Sequence, residues 1–307
     1  MNTDQPGPQP ADLRNPGMSR LAIITPSFAP DFERCADLHS SVLAHSPDST
    51  RHHIIVPRAD LALFGQLSGP RAVIHDEADF LPRSFRSLPV GKFSVNLRRP
   101  FPPLRGWILQ QIIKLAAAAR SDADVVVLVD SDIEFVRPFS ADTFRRDGVV
   151  RFYRKPDEVN ERLPRHVIWH QVARSLLGVP AAAPPYADYV SSLLAWDPVI
   201  VRRLLAHVES TTGRRWTDVI GAKLHFSEWT LYGVYVDEVS RAGTNVDSFS
   251  VADTLCHAYW EETPLDERTM QDFLEAIQER DIAVMISAKS RTPTPLRRKA
   301  LANLSLT

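Results

Sequence analysis

Two carboxylates, Asp130 and Asp132, stand two residues apart directly after the run Val125-Val-Val-Leu-Val129. A charge that follows five aliphatic residues is placed to be partly buried, and a buried carboxylate needs a partner. A divalent cation is one such partner. Mg²⁺ and Mn²⁺ take oxygen ligands and favour sites shared with phosphate oxygens, where the metal neutralises charge on a leaving diphosphate. The competing reading of Asp-x-Asp after a strand is a turn or helix cap. Glu228 lies among Phe226, Trp229 and Tyr232. A carboxylate beside apolar walls has a raised pKa and can act as general base toward a hydroxyl; its plainer role is a structural carboxylate held by an arginine. Gln110 and Lys114 lie one helical turn apart with Trp107 near them, on a face that could meet phosphate or sugar. The alternative for Lys114 is a solvated helix charge. His257, in Leu255-Cys-His-Ala-Tyr-Trp260, is either a metal ligand or a satisfied core residue.

These groups need elements to hold them. Arg20-Leu-Ala-Ile-Ile-Thr25 reads as a buried strand closed by Pro26, and His53–Val56 and Arg71–Ile74 as two more. Asp31 is placed to cap a helix with Phe32, Cys35, His39 and Val42 on one face. Leu104 to about Arg120 is a strong helix with a stripe of Ile108, Ile112, Leu115 and Ala119. Val125–Val129, the most apolar strand, belongs at the centre of a sheet. This is the α/β rhythm of a parallel sheet. Phe80–Pro103, rich in Pro, Arg and Ser, reads as a loop, the kind of segment that closes over a ligand. Asp197-Pro198 starts one helix, Thr263-Pro264 and Asp266 another running to about Arg280, and Ile282–Ile286 is a late strand. Most of the tryptophans of the second half are expected in the core.

The 307 residues are 44% hydrophobic and 24% charged, with net charge −1. That excludes a chain too polar to fold and leaves no global field for nucleic acid. Cys35 and Cys256 form neither a disulfide framework nor a zinc motif. There is no signal pattern and no apolar run near the roughly 20 residues of a membrane helix. The expectation is a cytoplasmic protein without a transmembrane segment.

Several segments together resemble GT-A glycosyltransferases. Val126-Val-Leu-Val-Asp130-Ser131-Asp132-Ile-Glu-Phe-Val-Arg-Pro-Phe139 resembles their D-x-D segment. Gly106-Trp107-Ile-Leu-Gln110-Gln111-Ile-Ile-Lys114-Leu115 and Ser227-Glu228-Trp-Thr-Leu-Tyr-Gly233 resemble the G-W-x-x-Q-Q-x-x-K-L and S-E-x-x-L-Y-G elements of a largely uncharacterised bacterial glycosyltransferase-like family. Ile24-Thr25-Pro26-Ser27-Phe28 looks like the first strand and nucleotide loop. The resemblance spans roughly residues 20 to 290. It implies a GT-A-like (Rossmann-like), mainly parallel sheet flanked by helices, with a less regular acceptor-side half. It also implies a nucleotide-sugar donor (a UDP-sugar favoured), Mn²⁺ or Mg²⁺, and transfer to a saccharide or small-molecule acceptor.

By the same resemblance, Asp132 ligates the metal and Asp130 contacts ribose or reaches the metal through water. Ser131, Thr25, Pro26 and Ser27 line the donor, and His257 is the candidate third ligand. From their place before the helix that Asp197 starts, and not from the resemblance, Asp188 and Tyr189 are candidates for the acceptor side. The expected organisation is a disordered segment 1–19, a donor half 20–140, an acceptor half 141–290 of the same domain, and a basic tail 291–307. The alternatives are a haloacid-dehalogenase-like phosphotransferase, a sugar nucleotidyltransferase and a catalytically inactive nucleotide-sugar binding protein. Against the first, Ile133-Glu134 follows the two aspartates where Gly-Thr is usual. Against the second, Thr25-Pro26-Ser27-Phe28 replaces its Gly-rich loop.

Overall fold

Every side chain of the strand Val125–Val129 is buried, and the strand lies inside a five-stranded sheet. The computed structural model describes residues 19–87, 94–240 and 249–304. The sheet runs in the order Leu193–Trp196, Val125–Val129, Leu21–Pro26, Arg51–Val56, Ala72–Asp76. The last four strands are mutually parallel; Leu193–Trp196 pairs antiparallel with Val125–Val129. Strand side chains alternate faces. Ala22, Ile24, Val126 and Leu128 therefore enter one core, while Leu21, Ile23, Val125, Val127 and Val129 enter another. Burial on both faces is why these strands read as unbroken apolar runs. The result is an α/β protein with a mainly parallel central sheet flanked by helices. Among the described residues no helix is long and apolar enough to cross a membrane.

The first core is closed by the helix Gly106–Arg120, which packs on the first strand and on the helices Pro198–Thr212, Trp216–Gly221 and Glu228–Val234. On the other side, Ile133–Phe135 leaves Asp132 to join a second sheet, antiparallel to Ala283–Ile286, which runs parallel to Cys256–Tyr259. The helix Phe32–His45 covers Ile133–Phe135. Asp130-Ser131-Asp132 is thus the junction between two sheets, held at both ends. The strand Leu193–Trp196 comes from the later half of the chain, so the two halves share one sheet.

Four expectations change. Phe80–Pro103 is not all loop: Phe85–Ser87, Ser94–Asn96 and Arg99–Leu104 form an antiparallel sheet, with residues 88–93 outside the described part. The prolines of Arg99–Leu104 are tolerated because that strand is an edge. The basic tail is not free. Thr294–Ala302 is a helix that packs back with Arg297 buried. The helix expected from Thr263 begins at Glu267 and ends at Glu275. Its cap is Asp266, whose side chain accepts from the Thr269 N–H while the Thr269 hydroxyl accepts from the Asp266 N–H. Asp31 makes no side-chain cap and instead pairs with Arg34 at 2.7 Å. The segment expected to be disordered lies, but for Ser19, outside the described residues.

Candidate functional site

The helix Gly106–Arg120 carries Trp107, Gln111 and Lys114 at i, i+4 and i+7, one stripe along its length. The stripe faces the start of the helix Glu228–Val234, and each of its residues is engaged there. The Trp107 indole N–H donates to the Phe226 carbonyl (3.1 Å), and the Glu228 N–H donates to Gln111 Oε1 (2.9 Å). Lys114 Nζ lies 2.8 Å from Asp130 Oδ1 and 3.3 Å from Glu228 Oε1, over the Trp229 ring. The Lys114 and Glu228 side chains are 7% and 2% exposed, whereas that of Asp130 is 62% exposed. One ammonium therefore joins a sealed carboxylate to one that faces solvent.

The charges follow from this geometry. Burial works against a charged Lys114, but Asp130 and Glu228 outweigh it and hold its pKa above the ordinary lysine range. Burial pushes the Glu228 carboxyl up, and Lys114 opposes it. The partner of Glu228 is thus a lysine rather than an arginine.

The Ser-Glu-x-x-Leu-Tyr-Gly segment is explained residue by residue. Ser227 caps the helix by accepting from the Thr230 N–H. Glu228 meets Lys114, and Leu231 is fully buried. Tyr232 stacks on Trp196 (4.6 Å between centroids), and its hydroxyl accepts from the Asp197 N–H. Gly233 lies so close to Tyr189 that a Cβ there would come within 2.1 Å of the ring, so only glycine fits.

Ser27 and Ser131 meet at the ends of the first and central strands, the Ser131 hydroxyl donating to Ser27 Oγ at 2.9 Å. The Cys35 thiol lies beneath them, its pKa pushed up to about 12 by burial. Pro26 closes its strand opposite Ile55. Thr25 is committed elsewhere. Its hydroxyl meets His52 Nε2 (3.0 Å) inside the fold, and His52 Nδ1 meets His39 Nδ1 (3.1 Å), so the Thr25 side chain is not at the surface of the site. Gln110 is exposed, and the residue facing Glu228 is Gln111. Asp132 accepts the Ala288 N–H on Oδ2 at 2.9 Å. Burial and the neighbouring Asp130 push its pKa up. The Asp132 carbonyl accepts from Arg297, which pairs with Glu134 at 2.7 Å.

His257 is not brought to the aspartates. In the second sheet Tyr259 is level with Ile286, whose N–H donates to the Asp132 carbonyl (3.3 Å). His257 is two residues further back, and its ring packs on Phe273 at 4.3 Å. Among the described residues no three His, Cys, Asp or Glu side chains converge as a metal cluster. Tyr189 donates to Asp237 (2.7 Å) and Asp188 pairs with His166 (3.3 Å), whereas the carboxylates that Lys114 meets are Asp130 and Glu228. Sequence reasoning missed Gln111 and Arg297. Gln111 could have been found from its spacing to Trp107 and Lys114.

A charged cluster at the carboxyl edge of a mainly parallel sheet defines the class of protein, an α/β fold with its polar groups where such sheets bind ligands. The chain belongs to the family of unknown function DUF6492, whose model matches residues 20–291. No curated protein matches it. Among solved structures it is similar to an active-site mutant of LgtC, at 15% identity and TM-score 0.43, covering 93% of this chain and 97% of that one. It is also similar to the galactosyltransferase LgtC in complex with donor and acceptor sugar analogs, at 13% identity and TM-score 0.45 with the same coverage.

Proposed function

We propose that this chain is a glycosyltransferase that takes a sugar from a nucleotide-sugar donor, a UDP-sugar favoured, bound at the carboxyl edge of its sheet. The observation that carries the reading is the shared ammonium: Lys114 is buried between Asp130, which faces solvent, and Glu228, which does not. A fixed cation beside an open carboxylate suits a diphosphate that arrives with its own divalent ion. Asp130 offers a solvent-facing carboxylate, and the Ala288 N–H meets only Oδ2 of Asp132. Two carboxylates with few other protein ligands fit Mg²⁺ or Mn²⁺, which keep sites for water and phosphate oxygens. When bound, such an ion would neutralise charge on the departing diphosphate. His257 stands outside this ligand set.

Ser27 and Ser131 line the floor beside it. Lys114 neutralises the carboxylates in the free protein and is the proposed contact for donor phosphate. Glu228 is the proposed general base for the acceptor hydroxyl, a role that requires Lys114 to swing from it toward the donor phosphate, because in the free protein Glu228 is sealed behind that ammonium. A base must be ionised yet close to taking a proton at working pH. Burial and Lys114 pull Glu228 in those two directions.

Calorimetry with UDP and GDP, with and without Mn²⁺, tests the site. Asp132→Asn should abolish the metal-dependent part of binding in a folded protein, and unchanged affinity would contradict the metal assignment. Release of nucleoside diphosphate from nucleotide-sugars tests the reaction. Its absence across donors, with nucleotide binding intact, would favour a binding protein.

A further inference from the structure

A second polar pocket, of about 380 Å³, lies between the helix Pro164–Leu177, the antiparallel strand pair Lys155–Val159 and Tyr186–Asp188, and the π-helical turn Tyr235–Val239. Its volume is within the range of small-molecule sites. It shares no residue with the Lys114 cluster. Asp237 is nine residues beyond Glu228 along a continuous helical path, roughly 13 Å at the α-helical rise.

The lining is polar but its positive charges are already met. Arg154 Nε donates to Asp237 Oδ2 (2.6 Å), to which the Tyr189 hydroxyl also donates (2.7 Å), and Arg174 pairs with Glu238. Among the described residues no uncompensated cation is left to draw an anionic ligand. The Tyr186 ring, stacked on His170 at 4.5 Å and 10° between planes, is an aromatic group in the lining. His170 is 2% exposed. Its Nε2 lies 2.9 Å from the Ala187 carbonyl and so carries the proton, which makes Nδ1 an acceptor. Nδ1 has no hydrogen-bond partner among the described residues. Burial holds the ring neutral, with a pKa lowered to about 4, so the acceptor persists at neutral pH. A buried acceptor without a donor is costly and calls for an explanation.

We propose that this pocket binds one unit of a neutral saccharide, at a place distinct from the Lys114 cluster. A sugar ring combines the features that the lining answers. Its hydroxyls donate to an acceptor such as His170 Nδ1 and accept from guanidinium groups, and its C–H face lies on an aromatic wall. It carries no charge for the paired arginines and carboxylates to oppose. The claim concerns binding alone and stands whether or not the chain transfers sugar.

Calorimetry on the full chain tests it, with glucose, galactose, mannose, lactose and maltose as probes and glucuronate and glycine as charged controls. At least one neutral sugar should bind saturably. His170→Phe keeps the stacked ring and removes the acceptor; it should weaken that binding roughly ten-fold, the scale of one directed hydrogen bond. Arg154→Ala should do the same. Arg154 is at the rim, its side chain 29% exposed, so this variant decides the matter alone if His170→Phe does not fold. Asp130→Asn, in the other site, should leave sugar affinity within about two-fold. The proposal fails if no neutral sugar binds at concentrations on the order of 50 mM, if only the charged controls bind, if Arg154→Ala binds sugar like the parent, or if Asp130→Asn abolishes sugar binding.

Discussion

Lys114 and Arg297 both reach the Asp130–Asp132 segment, and each is a buried cation paired with at least one carboxylate. Lys114 reaches Asp130 and Glu228, and through Asp130 the cluster opens to solvent. Arg297 pairs with Glu134 and donates to the Asp132 carbonyl, with both partners' side chains nearly closed off. The residue types match the difference. Arginine's planar fork bonds a carboxylate and a carbonyl in one fixed arrangement, whereas lysine is a point charge on a flexible stem that can exchange partners. One cluster therefore reads as a fastening for the C-terminal helix and the other as a place where charge is meant to change.

The largest effect is expected where the cation of the open cluster is removed. Lys114→Met leaves Glu228 buried without a counter-ion, which costs about 3 kcal/mol or more when a buried pair is broken on one side. Urea denaturation should show that loss, and calorimetry should show nucleotide binding abolished. Adding Glu228→Gln should restore much of the stability but none of the binding. Recovery of both would make Lys114 structural and erase the contrast with Arg297.

Arg297→Ala should cost about 3 kcal/mol by stranding Glu134. Metal-dependent nucleotide affinity of the folded protein should stay within about three-fold, because Arg297 touches Asp132 only at its carbonyl. A stable variant that had lost nucleotide binding would place Arg297 on the functional side of the comparison.

Glu228→Gln removes a proton acceptor while keeping shape and the Lys114 contact. Turnover should fall by about 10²-fold or more with nucleotide affinity nearly unchanged. The low-pH limb of the pH–rate profile should disappear with it, which a merely structural residue would not cause. Turnover within a few-fold of the parent would leave Glu228 as the anchor of Lys114 alone.

Much of this was legible in the sequence where one element settled the matter by itself. Val125–Val129 can only be a strand buried on both faces, so the place of Asp130 at its end followed, but the partial burial expected of that carboxylate did not: Asp130 is exposed and Asp132 is the half-buried one. Gln110 and Gln111 show the limit. Both are one turn or less from Lys114, and the choice between them depends on which face meets Glu228, a tertiary fact. The same holds for His257. Its type suggested a ligand, but strand register placed it two residues short of Asp132. The helix Thr294–Ala302 was missed although Pro295 near its start was a legible signal, because its basic residues suggested solvent and Arg297 is buried only through Glu134. Thr25 was assigned to the site from its place at a strand end, and His52, on the next strand, took its hydroxyl inward.

The smallest expected effect lies away from both clusters, in the histidines of the neighbouring strands, and it controls for them. His53 Nδ1 is 2.9 Å from His75 Nε2 across two parallel strands. Burial, then the charge His75 would carry, lowers the His53 pKa to about 4, against about 6.5 in an unfolded chain. A group whose folded pKa is depressed contributes stability above its unfolded pKa and loses it as pH falls through the folded value. The window is therefore about pH 6.5 down to about 4. The buried carboxyls of Glu228 and Asp132 act with the opposite sign, since their folded pKa values are raised and their contribution is lost as pH rises. The net slope of the parent mixes the two, so the informative quantity is a difference between variants. His53→Asn keeps a polar side chain and removes the titration. Urea denaturation at pH 7.5, 6.5, 5.5 and 4.5 should show the parent losing about 1–2 kcal/mol more than His53→Asn across that window. Parallel curves would mean that His53 takes up its proton in the folded state without penalty. The acid sensitivity of the fold would then have to come from His52 or from the clusters themselves.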